Sequence, residues 1–141
     1  MSPRRTANLP ARGEVGSATV WMVFATLIVF AVCGLVYDGG ALLTGRQQAI
    51  FEAESAARAG AQAVDTEVLY SSGQTQLDPQ AAEALATQFL LRNGWQGTAS
   101  ATPTQVTVTV EVPVKMTFLQ TVGMADETES GSASASPEIG P

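Results

Sequence analysis

The stretch Ser17–Tyr37, SATVWMVFATLIVFAVCGLVY, runs for 21 residues without a charge, and the rest of the chain is attached to its two ends. At 1.5 Å per residue a helix of that length covers roughly 30 Å, the thickness of a bilayer hydrocarbon core. Leu27, Ile28, Val29, Phe30, Ala31 and Val32 place apolar side chains on every face. A soluble core helix keeps a polar side, so the pattern reads as a transmembrane helix over residues 17–37.

The flanks predict its orientation. Arg4, Arg5 and Arg12 precede the span with Glu14 as the one acid, whereas the first charge after it is Asp38 and the next basic residue is Arg46. Arginine excess stays in the cytoplasm, which predicts a cytoplasmic N-terminus and an extracytoplasmic remainder, single-pass in the cell membrane. Trp21 and Tyr37 suit the two membrane interfaces. Residues 1–16, MSPRRTANLPARGEVG, have two prolines, two glycines and no apolar period, and are expected to be a disordered cytoplasmic leader. A secretory signal peptide fits poorly, because the apolar run is too long and no Ala-x-Ala site follows it. Cys33 lacks the small preceding residue of a lipoprotein signal.

Of the 141 residues about a hundred lie beyond the span, and large apolar side chains are sparse after position 70, which permits one small domain with a thin core. Net charge is −6, and residues 38–141 hold 12 acids against 4 bases. Such an outer portion argues against nucleic acid and against adhesion to anionic headgroups. The single Cys33 excludes an intrachain disulfide and reads as a small packing residue within the span. No His is present, which removes Ser/His/Asp and Cys/His catalysis and His-bearing metal sites. Asp38, Glu52, Glu54, Asp65 and Glu67 read as a solvated helix face. No catalytic, cofactor-binding or metal-ligating residue is expected, and no enzyme activity.

Beyond the span the helix is expected to continue as an extracytoplasmic Ala-rich extension over residues 38–66, with Asp38-Gly39-Gly40 and Gly45 as its weak points. Ala49, Ala53, Ala56, Gly60 and Ala63 recur at steps of 4, 3, 4 and 3, a seam of tiny side chains that lets another body approach the backbone closely. That body is a neighbouring helix or the chain's own domain, and the two readings are not exclusive. Asp38, at the membrane boundary, reads either as a solvated charge or as a docking charge that takes a cation or donor from a neighbouring subunit.

Residues 67–122 are expected to form a small α+β domain. Residues 66–77 lose periodicity and read as a loop around Ser71-Ser72-Gly73. Asp78-Pro79 supplies an N-cap and a first-turn proline for an amphipathic helix that stops at Asn93-Gly94. Residues 104–114, TQVTVTVEVPV, alternate Val106, Val108, Val110 and Val112 with Thr107, Thr109 and Glu111, the period of a half-buried antiparallel strand. Residues 95–102 are its expected partner, and Pro113 ends the ladder or marks an edge. The acidic, Ser-rich tail over 123–141 is either disordered or a weak last strand through Ser130–Ser136.

The run RGEVGSATVWMV, the apolar helix, and then GLVYDGGALLTGRQQAIFEAESAARAGAQAVD resemble the N-terminal half of TadE/TadG-like proteins of the tight-adherence (Flp) pilus assembly apparatus, in their short actinobacterial form. Arg12, Gly13, Ser17, Asp38, Gly39, Arg46, Gln48, Ala59 and Gly60 carry the likeness over residues 12–68, and residues 104–124 resemble that family's strand and apolar turn. The resemblance implies a pilin-like fold, a long N-terminal helix with a small antiparallel sheet. It also implies a pseudopilin or minor-pilin-like role in a type IV pilus-like or secretion apparatus. Its implied partners are the lipid bilayer, other subunits of the apparatus and a prepilin peptidase, with Gly13 and Gly16 as leader-processing positions. The pattern departs from pilins at one point: the fifth residue after Gly16 is Trp21, and after Gly13 it is Ala18, where pilins carry a docking Glu. The alternative function is an anchored extracytoplasmic binding or regulatory module outside any filament.

Overall fold

The computed structural model describes residues 15–137, in which a helix of 46 residues, α1 (Val15–Gly60), carries a small α+β unit on its second half. α1 is unbroken and about 69 Å long at 1.5 Å per residue. It passes through Gly39-Gly40 without a break, and the Thr44 hydroxyl donates to the Gly40 carbonyl at 2.9 Å. A helical glycine costs about 1 kcal/mol relative to alanine, too little to break a helix whose next turns are packed.

The two halves of α1 differ in what surrounds them. From Ser17 to Cys33 every residue is exposed. Burial starts at Gly34 and returns at Asp38, Gly45, Ala49, Ala53, Ala56, Ala57 and Gly60, a single face at helical spacing. The helix ends at Gly60, six residues before the expected boundary. There the chain turns so that Val64 bridges to Leu77, with Asp65 N–H donating to Gln76 O at 2.8 Å and Asp78 N–H to Ala63 O at 2.9 Å.

Residues 66–77 are not all loop: α2 (Thr66–Ser72) is a short helix with no buried residue. Capping rather than periodicity makes it, since Asp65 Oδ1 accepts from the N–H groups of Glu67 and Val68, and Gly73 closes it at φ 72°. α3 (Pro79–Arg92) has the expected start, Asp78 Oδ1 accepting from Gln80 and Ala81 N–H, and buries Ala82, Ala86 and Leu90.

The sheet is antiparallel in the order β1 (Gln96–Thr102), β2 (Gln105–Val114), β3 (Glu127–Ala135). β1 pairs with β2 only from Glu111 to Gln105, so Pro113, which has no N–H to give, sits where β2 has a neighbour on one side alone. β3 is the segment left open between disorder and strand. Its serines alternate because one face meets α1 and the other meets water. On the water face the hydroxyls of Thr107 and Ser134, and of Thr109 and Ser132, pair across strands at 3.1 Å.

The core lies between sheet, α3 and α1. Val106, Val108, Val110 and Val112 supply it from β2, Leu90, Ala82 and Ala86 from α3, Leu77 from the turn, and Ala49, Ala53, Ala56 and Ala57 from α1. Most of these side chains are small, so helix and sheet backbones come unusually close. Gly131 of β3 lies directly on the α1 backbone at Ala49 and Ile50, where a Cβ would have no room. The α+β unit therefore includes the outer half of α1 and β3, and is not confined to residues 67–122.

Candidate functional site

The structure resolves the seam. Ala49, Ala53, Ala56 and Gly60 all face the chain's own sheet and α3. A Cβ on Gly60 would stand 2.8 Å from Ala82 O, 3.1 Å from Val106 Cγ1 and 3.2 Å from Ala86 Cβ. Ala63 lies beyond the helix end, half-buried against the same core. Of the two occupants left open, the intramolecular one is found. The buried face also extends inward past the proposed seam, through Gly45 against Val114 and Gly34 against Phe118.

At the inward end of that face sits Asp38, only 1 % exposed. Its Oδ1 accepts from Thr117 N–H at 3.0 Å, and its Oδ2 accepts from Phe118 N–H at 2.9 Å and Leu119 N–H at 2.7 Å. These three amides open a 3-10 turn over Leu119–Val122, and the start of such a turn has N–H groups without backbone acceptors. Asp38 is therefore not the solvated charge of one of its two readings, and where the other reading looks to a neighbouring subunit for a cation or donor, the chain supplies three donors of its own. Burial pushes the Asp38 carboxyl up, but the N–H bonds from Leu119, Thr117 and Phe118 favour the charged form more, and the net shift is downward from the usual 3.8. A carboxylate so engaged works as a clasp that ties the 115–126 connection to α1.

The clasp has an apolar counterpart. Phe118 lies over Gly34, one helical turn before Asp38, so that a Cβ there would come within 2.9 Å of the Phe118 side chain. The Phe118 ring also meets Tyr37 edge to face, with centroids 5.7 Å apart and planes at 74°. Met116 is buried, and its N–H donates to Asp126 Oδ1 at 3.2 Å. Leu119 is half-buried and Phe118 is exposed. The donors at Thr117–Leu119 had no signature in the sequence. Gly34 and Gly45 did: they continue the helical face of Asp38, Ala49, Ala53, Ala56 and Gly60.

Among the described residues no three His, Cys, Asp or Glu side chains approach closely enough to hold a metal ion, and the one ion pair is the exposed Glu54–Arg58 contact at 3.4 Å. Gly16 lies in the first turn of α1, and Gly13 lies outside the described residues. What fold and site define is a long helix with a bare apolar first half and a small α+β unit clasped to its second half. No family model, curated protein or solved structure matches the chain.

Proposed function

We propose that this chain is a single-pass membrane protein, cytoplasmic at its N-terminus, that serves as a structural or assembly subunit of a pilus or related secretion apparatus in the manner of the TadE/TadG-like proteins it resembles. The observation that carries the reading is the bare half of α1. Large apolar side chains point outward all round it, from Trp21 at 74 % exposed to Phe30 at 68 %, and every residue from Ser17 to Cys33 is exposed. A bilayer and neighbouring helices are the surroundings that such a surface needs. The pilin-like order of elements, a protruding N-terminal helix half followed by a half laid on an antiparallel sheet, supports the same reading. With the seam occupied internally, subunit contacts fall to the bare half.

Two measurements test this. In a Cys33→Ser background, cysteine at the exposed Ser100 reacts with a membrane-impermeant thiol reagent on wall-permeabilised intact cells; labelling only after lysis would reverse the topology. A photo-crosslinking residue at Leu27, on the bare half, captures either a second copy or another single-span subunit in the native membrane. Normal abundance with no adduct from Leu27 or Phe30 would replace assembly with the anchored binding module.

A further inference from the structure

The 115–126 connection is poorly explained by the needs of the α+β unit alone. It leaves β2 and returns to β3, but instead of turning tightly it reaches along α1 toward the apolar half. Phe118 rests on Gly34, which is three residues inside the end of the uncharged run and so about 4.5 Å deeper along the helix axis than Tyr37. Phe118 is 49 % exposed and Met124 is 54 % exposed.

The backbone of this loop is also well supplied with partners. Thr121 N–H donates to Phe118 O, Gly123 N–H to Gln120 O and Met124 N–H to Leu119 O, each at 3.1 Å. The N–H groups of Thr117, Phe118 and Leu119 are taken by Asp38. An apolar medium penalises unpartnered backbone donors, and these six residues present none. Acidic side chains begin directly behind the loop with Asp126, Glu127 and Glu129, so apolar contact is shallow and owes nothing to anionic headgroups.

We infer that the 117–124 loop is a second membrane-seating element, in which Phe118 and Met124 enter the outer headgroup and acyl boundary beside the end of the span. This rests on the reading of α1 as a bilayer helix. A helix alone is free to tilt and to turn about its axis. A second contact, fixed to α1 through Asp38 and Gly34, holds the α+β unit at one height and one rotation over the membrane.

The test uses the full chain in phosphatidylcholine vesicles with bromine placed either near the headgroups or near the bilayer centre, and reads tryptophan quenching. Three single-tryptophan proteins are compared: one keeping Trp21 (Trp95→Phe), one keeping Trp95 (Trp21→Phe), and one with Phe118→Trp and both native tryptophans changed to Phe. Met124→Trp in the same double-Phe background is the second reporter, at a position 54 % exposed. Trp21 is expected to be quenched, Trp95 unquenched, and Phe118→Trp and Met124→Trp quenched, most strongly by the shallow bromines. Unquenched Trp21 would overturn the span and the loop contact with it. Quenched Trp21 beside two loop reporters that behave like Trp95 would overturn the loop contact alone.

Discussion

The inner and outer halves of α1 share one unbroken backbone and differ in the size of one face. In the inner half, large apolar residues occupy every direction and stay exposed, the surface that the proposed function gives to lipid or other helices. In the outer half, one face carries Gly34, Gly45, Ala49, Ala53, Ala56 and Gly60, and a sheet and a second helix settle against the backbone. The contrast shows that small side chains specify contact by permitting approach. The free energy comes from the partner's valines and leucines, which lose water against the alanine face.

The sharpest way to break this comparison is to enlarge both halves equally. Gly60→Leu drives a side chain into Ala82 O and Ala86, and is expected to destabilise the α+β unit by about 3 kcal/mol or more, seen as a lowered urea midpoint of the full chain in detergent. Ala25→Leu, on the bare half, should leave that midpoint unmoved. Equal loss from both would mean that the inner half also packs on the domain.

Asp38 marks the junction of the halves, and its variants sharpen where the clad half begins. Asp38→Ala removes every acceptor from Thr117, Phe118 and Leu119, whose amide hydrogen exchange should rise to that of an open loop while the core strands stay protected. Asp38→Asn keeps one oxygen and should retain part of the protection. Because the folded carboxyl titrates below the usual 3.8, the clasp's contribution is fully present above the unfolded-state value and is lost as pH falls through the lower folded one. Protection at 117–119 should therefore be flat through neutral pH and fail only in strong acid. A loss beginning near pH 6 would show that another group controls the loop.

The smallest effects come from the two helix caps away from the junction. Asp78→Ala should cost about 1 kcal/mol of the α+β unit's stability, since α3 is part of its core. Asp65→Ala removes the same kind of cap from α2, which buries nothing, and should melt α2 locally with no change in the global midpoint. A global shift of equal size from both would mean that α2 is coupled to the core.

Much of this architecture is legible because it is encoded within a few residues of itself. An uncharged run of bilayer length, valines alternating with threonines, and an Asp-Pro before an amphipathic stretch each declare their element locally. α2 escaped notice since two turns are too few to show a period, although its Asp65 and Gly73 caps were visible. β3 remained open because alternation of Ser with Ala, Gly and Glu lacks the apolar contrast by which a strand face is recognised.

The sequence by itself determined the uncharged helix, its arginine-flanked end, the amphipathic α3 and the alternation of β2, and it excluded His-dependent chemistry outright. Only the tertiary structure decided what lies on the alanine face and what meets the Asp38 carboxylate. The donors to Asp38 come from residues 79 to 81 positions later in the chain. A face of small side chains is permissive toward any partner that fits, and a carboxylate accepts from any N–H that reaches it. Such choices depend on which backbone the whole fold brings within 3 Å, and no local pattern of residues carries that distance.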